Sequence, residues 1–188
     1  MRINELTAAA DCLEKERFGS QCRRLMQEYQ RQERREEALH IFGGLFEQAF
    51  VQGKRAAWLG ISSLYTSVQN GVFEYFLAVY GEEFYLDSEP VAGFWIPSAF
   101  QECMEEDIRS VMKELHSRFP RIRQYEEAEI YRVCAAYYDA ALGRLCQDLA
   151  DELSETECFS RMEKTERFGI FFGRYQGEGE ILWRITAG

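Results

Sequence analysis

The most regular pattern in the chain is the row Ala38, Ile41, Phe42, Leu45, Phe46, Ala49 and Phe50. Its members stand three or four residues apart, which lays one apolar stripe along a helix and predicts an amphipathic helix stopped at Gly53. Ahead of it, Leu6, Ala10 and Leu13, then Leu25, Met26 and Tyr29, recur at helical spacing, and Gly19-Ser20 predicts a bend or break between the two groups. From Trp58 the period changes. Trp58 to Gln69 and Val72 to Tyr80 are rich in β-branched and aromatic residues, with Asn70-Gly71 between them. Asn-Gly favours a two-residue hairpin turn, because both central positions need positive φ. That turn would set Val68 opposite Phe73 and Tyr65 opposite Phe76. In the second strand Phe73, Tyr75, Leu77 and Val79 share one face, and Glu74, Phe76, Ala78 and Tyr80 the other; both are largely apolar. Gly81-Glu82-Glu83 then turns into a third strand, Phe84 to Asp87, completing a three-strand meander over about 58–87.

The second half returns to helical spacing. Glu89-Pro90 and Ala92-Gly93 mark a loop carrying Phe94, Trp95 and Ile96 towards Pro97, and Ser98 with Gln101 matches a capping box. The helix it opens carries Phe100, Met104, Ile108, Val111, Met112, Leu115 and Phe119. Pro120 separates it from a longer one with Ile130, Val133, Cys134, Tyr137, Ala141, Leu145 and Leu149. A short helix is expected from Ser154, with Glu157 completing S-x-x-E. Phe168 to Tyr175 and Ile181 to Thr186 flank a glycine-rich turn and predict a C-terminal hairpin over about 168–186. Helices before, between and after strands, without βαβ alternation, predict a mostly helical α+β fold with one antiparallel sheet covered by helices.

Length and composition change this picture little. The 188 residues suit one domain, 1–188, that needs no disulfide or metal to hold a core. The six cysteines include no C-x-x-C pair and read as small hydrophobes in a reducing compartment. The N-terminal residues contain no apolar leader segment, and the longest uncharged run, Ala56 to Phe73, is too polar to span a bilayer, so a cytoplasmic protein without membrane contact is expected.

Charge is more informative. The net value of −10 is unevenly spread: residues 1–55 hold ten basic and nine acidic groups, residues 56–100 no Lys or Arg against five acids, and residues 101–160 fourteen acids and seven bases. The arginines Arg17, Arg23, Arg24, Arg31, Arg34 and Arg35 are interleaved with glutamates, the composition of solvated helix faces with pairs along the helix. Net acidity argues against direct nucleic-acid binding, which depends on Lys and Arg displacing counterions.

No nucleophile-elbow, zinc-protease, phosphate-loop or dinucleotide motif is present. Only His40 and His116 could serve as imidazole bases. His116 stands about 19 Å along one helix from Cys103, which leaves His40 as that thiol's sole conceivable partner. Glu102, Glu105, Glu106 and Asp107, then Glu126, Glu127 and Glu129, form acidic rows that facing helices could turn into an oxygen-rich metal site, although the usual E-x-x-H partner is missing. Their plainer reading is a solvated face near helix N-termini, so neither a metal nor a cofactor is expected.

Folding alone accounts least well for residues 56–100, which hold eleven of the 27 aromatics and no basic residue. Aromatic surfaces without charge at their centre are typical of protein interfaces. The sequence therefore points first to a non-catalytic interaction protein, self-associating or bound to another protein, with Trp95 on its loop as the anchor and Tyr65 and Tyr75 as further contacts. An acidic inhibitor of a basic toxin or nuclease is a narrower form of that reading. The alternative is a small-molecule binder or enzyme, with a pocket between sheet aromatics and helix carboxylates in which Tyr65, Cys103 and Glu106 would take part.

Overall fold

The computed structural model describes residues 2–64 and 72–185. Five helices and five strands follow one another in the order α1 (Arg2–Tyr29), α2 (Gln32–Val51), β1 (Ala56–Ser63), β2 (Tyr75–Tyr80), β3 (Val91–Trp95), α3 (Ser98–Arg118), α4 (Gln124–Ser154), α5 (Glu157–Arg161), β4 (Lys164–Arg174) and β5 (Gly179–Arg184). The fold is α+β, as the residue periodicity predicts.

Several local expectations give way to tertiary packing. Helix α1 runs unbroken through Gly19-Ser20, because Leu6, Ala10, Leu13 and Leu25 are all buried along one length of helix that lies on α3 and α4. Helix α2 buries Ala38, Phe42, Leu45, Phe46 and Ala49, and stops where Gly53 takes φ 63°. There the Gly53 and Lys54 amides donate back to the Phe50 and Ala49 carbonyls at 3.0 and 2.9 Å, closing the helix end. At α3, Pro97 takes the cap position, so Ser98 and Gln101 form no capping box. Ser98 instead meets Arg34 and Glu37 of α2, and the Gln101 side-chain carbonyl accepts from the Phe73 amide at 2.5 Å. Helix α5 is capped by Thr156, whose hydroxyl accepts from the Phe159 amide at 3.3 Å, rather than by Ser154, which ends α4.

The sheet is mixed rather than antiparallel, in the order β3-β2-β1-β4-β5, with β1 and β4 parallel at its centre. After β3 the chain makes three helices and returns to the end of the sheet where β1 starts. The Ala56 amide donates to the Glu163 carbonyl at 2.9 Å there, and β4 enters alongside β1 in the same direction. The third strand of the meander is Val91–Trp95, not Phe84 to Asp87. Asp87 accepts from the Gly81 and Glu89 amides at 2.6 and 3.1 Å and pairs with Lys54, which gathers residues 81–89 into a compact loop around a single 3₁₀ turn, Phe84–Leu86. Phe76 pairs with Ser62, so the β1–β2 register differs by three residues from the one an Asn70-Gly71 turn would set. That turn lies outside the described residues.

Among the described residues, the α-helices share one core layer with one face of the sheet. Leu59, Ile61, Tyr75, Leu77, Val79, Trp95, Phe168, Ile170 and Phe172 point into this layer and join a buried cluster with the helices. No helix among the described residues is long and apolar enough to cross a membrane.

Candidate functional site

Because β1 and β4 are parallel, their carboxyl ends meet at one edge of the sheet, where Ser63 pairs with Arg174. Helix α4 passes over that edge with a row of short side chains, Ala135, Ala136, Ala140 and Gly143, at helical spacing. The helix and sheet are tightest at Gly143, where an added Cβ would stand 3.0 Å from the Phe172 ring. Beside that contact the short side chains leave a cleft of about 640 Å³, walled by Leu64, Phe73 and Phe172 and rimmed by Arg132, Arg174, Glu178 and Glu180. The volume is that of a small-molecule site, and such sites favour the carboxyl ends of parallel strands.

One acid of α4 enters this space. Asp139 receives the Tyr75 hydroxyl on Oδ1 at 2.5 Å. Burial raises the Asp139 carboxyl above its ordinary value, against the opposing pull of the Tyr75 hydrogen bond and the Arg174 charge. The Tyr75 phenol is fully buried and held far up by that burial and by the neighbouring Asp139 charge, so it stays a proton donor. We find no match for the chain among protein-family models, curated proteins or solved structures. What the cleft can do therefore rests on its own side chains.

The residues singled out in the sequence fall in different places. Tyr75 lies behind the cleft, holding Asp139. Trp95 is not on a loop: it ends β3, is 3% exposed, and packs edge-to-face on Phe42 at 5.4 Å between ring centres. Glu106 is exposed on α3 and pairs with Arg24 at 2.7 Å, away from the cleft. Tyr65 lies outside the described residues. Cys103 is buried and its thiol is pushed up by burial, the opposite of an activated nucleophile, while His40 stands exposed on α2. Asp139, Arg174, Phe172 and Glu180 were not read from the sequence. The one local signal is for Asp139, which sits among the short side chains Ala135, Ala136, Ala140 and Gly143.

Several acids of the α3 and α4 rows pair with arginines. Arg17 meets Asp107 at 2.8 Å, Arg34 meets Glu102 at 3.4 Å, and Arg2 meets Glu126 at 3.2 Å. No group of three or more potential metal ligands occurs among the described residues. One pair is unusual. Glu14 and Asp107 are both fully buried between α1, α3 and α4, where Asp107 also accepts from Tyr138 at 3.1 Å. No donor among the described residues reaches either oxygen of Glu14. Burial first, and then the neighbouring Asp107, push the Glu14 carboxyl up to about 8, so at neutral pH it is largely protonated.

Among the described residues, the opposite face of the sheet is covered by the 81–89 loop with its 3₁₀ turn rather than by an α-helix. Phe94, Phe76, Tyr175, Tyr85, Phe84 and Trp58 form a continuous run of ring contacts across it, with centres 5.6, 5.3, 5.6, 4.2 and 5.4 Å apart. The 81–89 loop supplies two of these rings. Phe94 remains 59% exposed and Leu86 82%.

Proposed function

We propose that the protein binds a small organic molecule in the cleft between α4 and the carboxyl ends of β1 and β4. The observation that carries this reading is a cavity of ligand size that combines aromatic walls with one half-buried carboxylate, itself positioned by a buried phenol. Short side chains where α4 crosses the sheet leave space that a core built only for stability would fill.

Ala140 lines the cleft yet is exposed, so Ala140→Trp fills the space without overpacking the core. In a thermal-shift screen of metabolites, ligands should raise the melting temperature of the parent chain and not that of Ala140→Trp. A screen with no stabilising compound, or with equal shifts in both chains, would overturn the reading.

A second reading is favoured by the ring-lined outer face. We infer that it receives a protein partner, a second copy of the chain included. A run of contacting aromatics with exposed Phe94 and Leu86 at its margins resembles the centre of an interface more than an ordinary solvated face.

A further inference from the structure

We propose that the cleft takes a molecule with an apolar body and a protonated amine, the amine seated against the Asp139 carboxylate. This rests on the cleft being a binding site and adds the chemistry of its occupant. Among the described residues, the Tyr75 hydroxyl is the one hydrogen-bond donor that reaches Asp139, and it uses Oδ1. An ionised carboxylate has about four acceptor positions. Oδ2 therefore keeps acceptor capacity in a space whose walls are aromatic and aliphatic.

An ammonium group fits the acceptor capacity left on Oδ2, alongside the Arg174 charge that already favours the ionised carboxylate. It is a compact donor with positive charge, and it removes the cost of holding the carboxylate in poor solvent. The rest of the lining agrees in sign. Three acids, Asp139, Glu178 and Glu180, face two bases, Arg132 and Arg174, and Arg132 is already held by Glu129. The Glu180 carboxylate reaches across towards α4, its Oε1 3.7 Å from the Cβ position of Gly143. An anionic ligand would have to enter past these acids. A bare divalent cation would find too few ligands, since no group of three forms among the described residues. Phe73 and Phe172 then receive the apolar body.

The test is calorimetric titration of the full chain with phenethylamine and tryptamine, against phenylpropionate and phenethyl alcohol as isosteres without the amine. The amines should bind more tightly than either isostere. Asp139→Asn, which preserves shape and can still accept from Tyr75, should weaken the amines about tenfold or more. Glu180→Gln, on an exposed side chain whose change leaves the fold intact, should weaken them to a lesser degree. Ala140→Trp should abolish binding of every compound. Acid or alcohol binding as tightly as the amines, with Asp139→Asn and Glu180→Gln without effect and Ala140→Trp still blocking, overturns the amine assignment and leaves the cleft as the site. Binding that Ala140→Trp does not block overturns both, and no amine binding at millimolar concentration overturns the inference.

Discussion

At the scale of single residues, the pairing of Glu14 with Asp107 ties stability to pH. The folded chain holds the Glu14 proton up to about pH 8, whereas an unfolded glutamate releases it near 4.5. The native state therefore binds more protons across that window, and this contribution is complete below pH 4.5 and is lost as pH rises towards 8. Arg17 on the same helix, Asp107 on α3, and Cys134 and Tyr138 on α4 are the groups that face the pair. Glu14→Gln keeps a donor towards Asp107 but cannot ionise. Urea unfolding at a series of pH values should show the parent chain losing up to roughly 1.4 kcal/mol per pH unit within the window, with a flatter profile for the variant; parallel profiles would disprove the assignment. None of this is legible in the sequence, where Glu14 is one of several acids in a charged stretch. Asp139 is hidden in the same way, because a lone acid on a helix has no spacing signature. Trp95 was misplaced for a different reason: Gly93 and Pro97 read as loop residues, although in the sheet Gly93 is the inward position of an alternating edge strand beside Leu45.

At the scale of elements, the strongest periodicities gave the right answer. The stripe of α2 and its stop at Gly53 need only local rules, since the apolar face is continuous and a left-handed residue ends the helix. Gly53→Ala places a Cβ in that conformation with open space around it, so its cost is backbone strain alone. We expect a loss of about 1 kcal/mol and a melting temperature lower by about 2–4 °C for a chain of this size, read by calorimetry; an unchanged transition would show that the cap contributes nothing. The two alternating sets of β2 were also legible, but both are largely apolar, so which of them faces the helices was not. The loop at 81–89 was not. Its aromatic and β-prone composition suits a strand, whereas the loop is held by the Asp87 carboxylate, which accepts from the Gly81 and Glu89 amides within the segment and pairs with Lys54 outside it.

At the scale of the whole molecule, the uneven charge distribution finds its explanation in assembly. The arginines of α1 and α2 read as pairing along their own helices, and some do, as Arg34 with Glu37 at 3.7 Å. Others cross to α3, so the nearly neutral start and the acidic middle of the chain are partly two sides of one set of interhelical contacts. Most are exposed and each contributes little to stability, but together they favour one arrangement of the helices. The outer sheet face is the other property of the whole. Leu86→Ser combined with Phe94→Ser changes exposed side chains, so stability should move by no more than about 0.5 kcal/mol. Sedimentation velocity and affinity capture should show the double variant losing self-association or a partner that the parent chain retains. Identical sedimentation and identical partners would remove the interaction reading. The class of the fold followed from the order of elements, but the mixed sheet did not, because the β1–β4 pairing leaves no local trace in either strand.

That pairing also governs the order in which the chain can assemble. It joins Ala56 to Lys164, so the centre of the sheet closes only after the intervening helices have been made. Contacts of such long sequence separation slow folding. During synthesis the β1–β2–β3 unit would wait with the backbone edge of β1 bare and its ring-lined face bearing only the 81–89 loop, an arrangement prone to pairing with other chains until the last strands arrive.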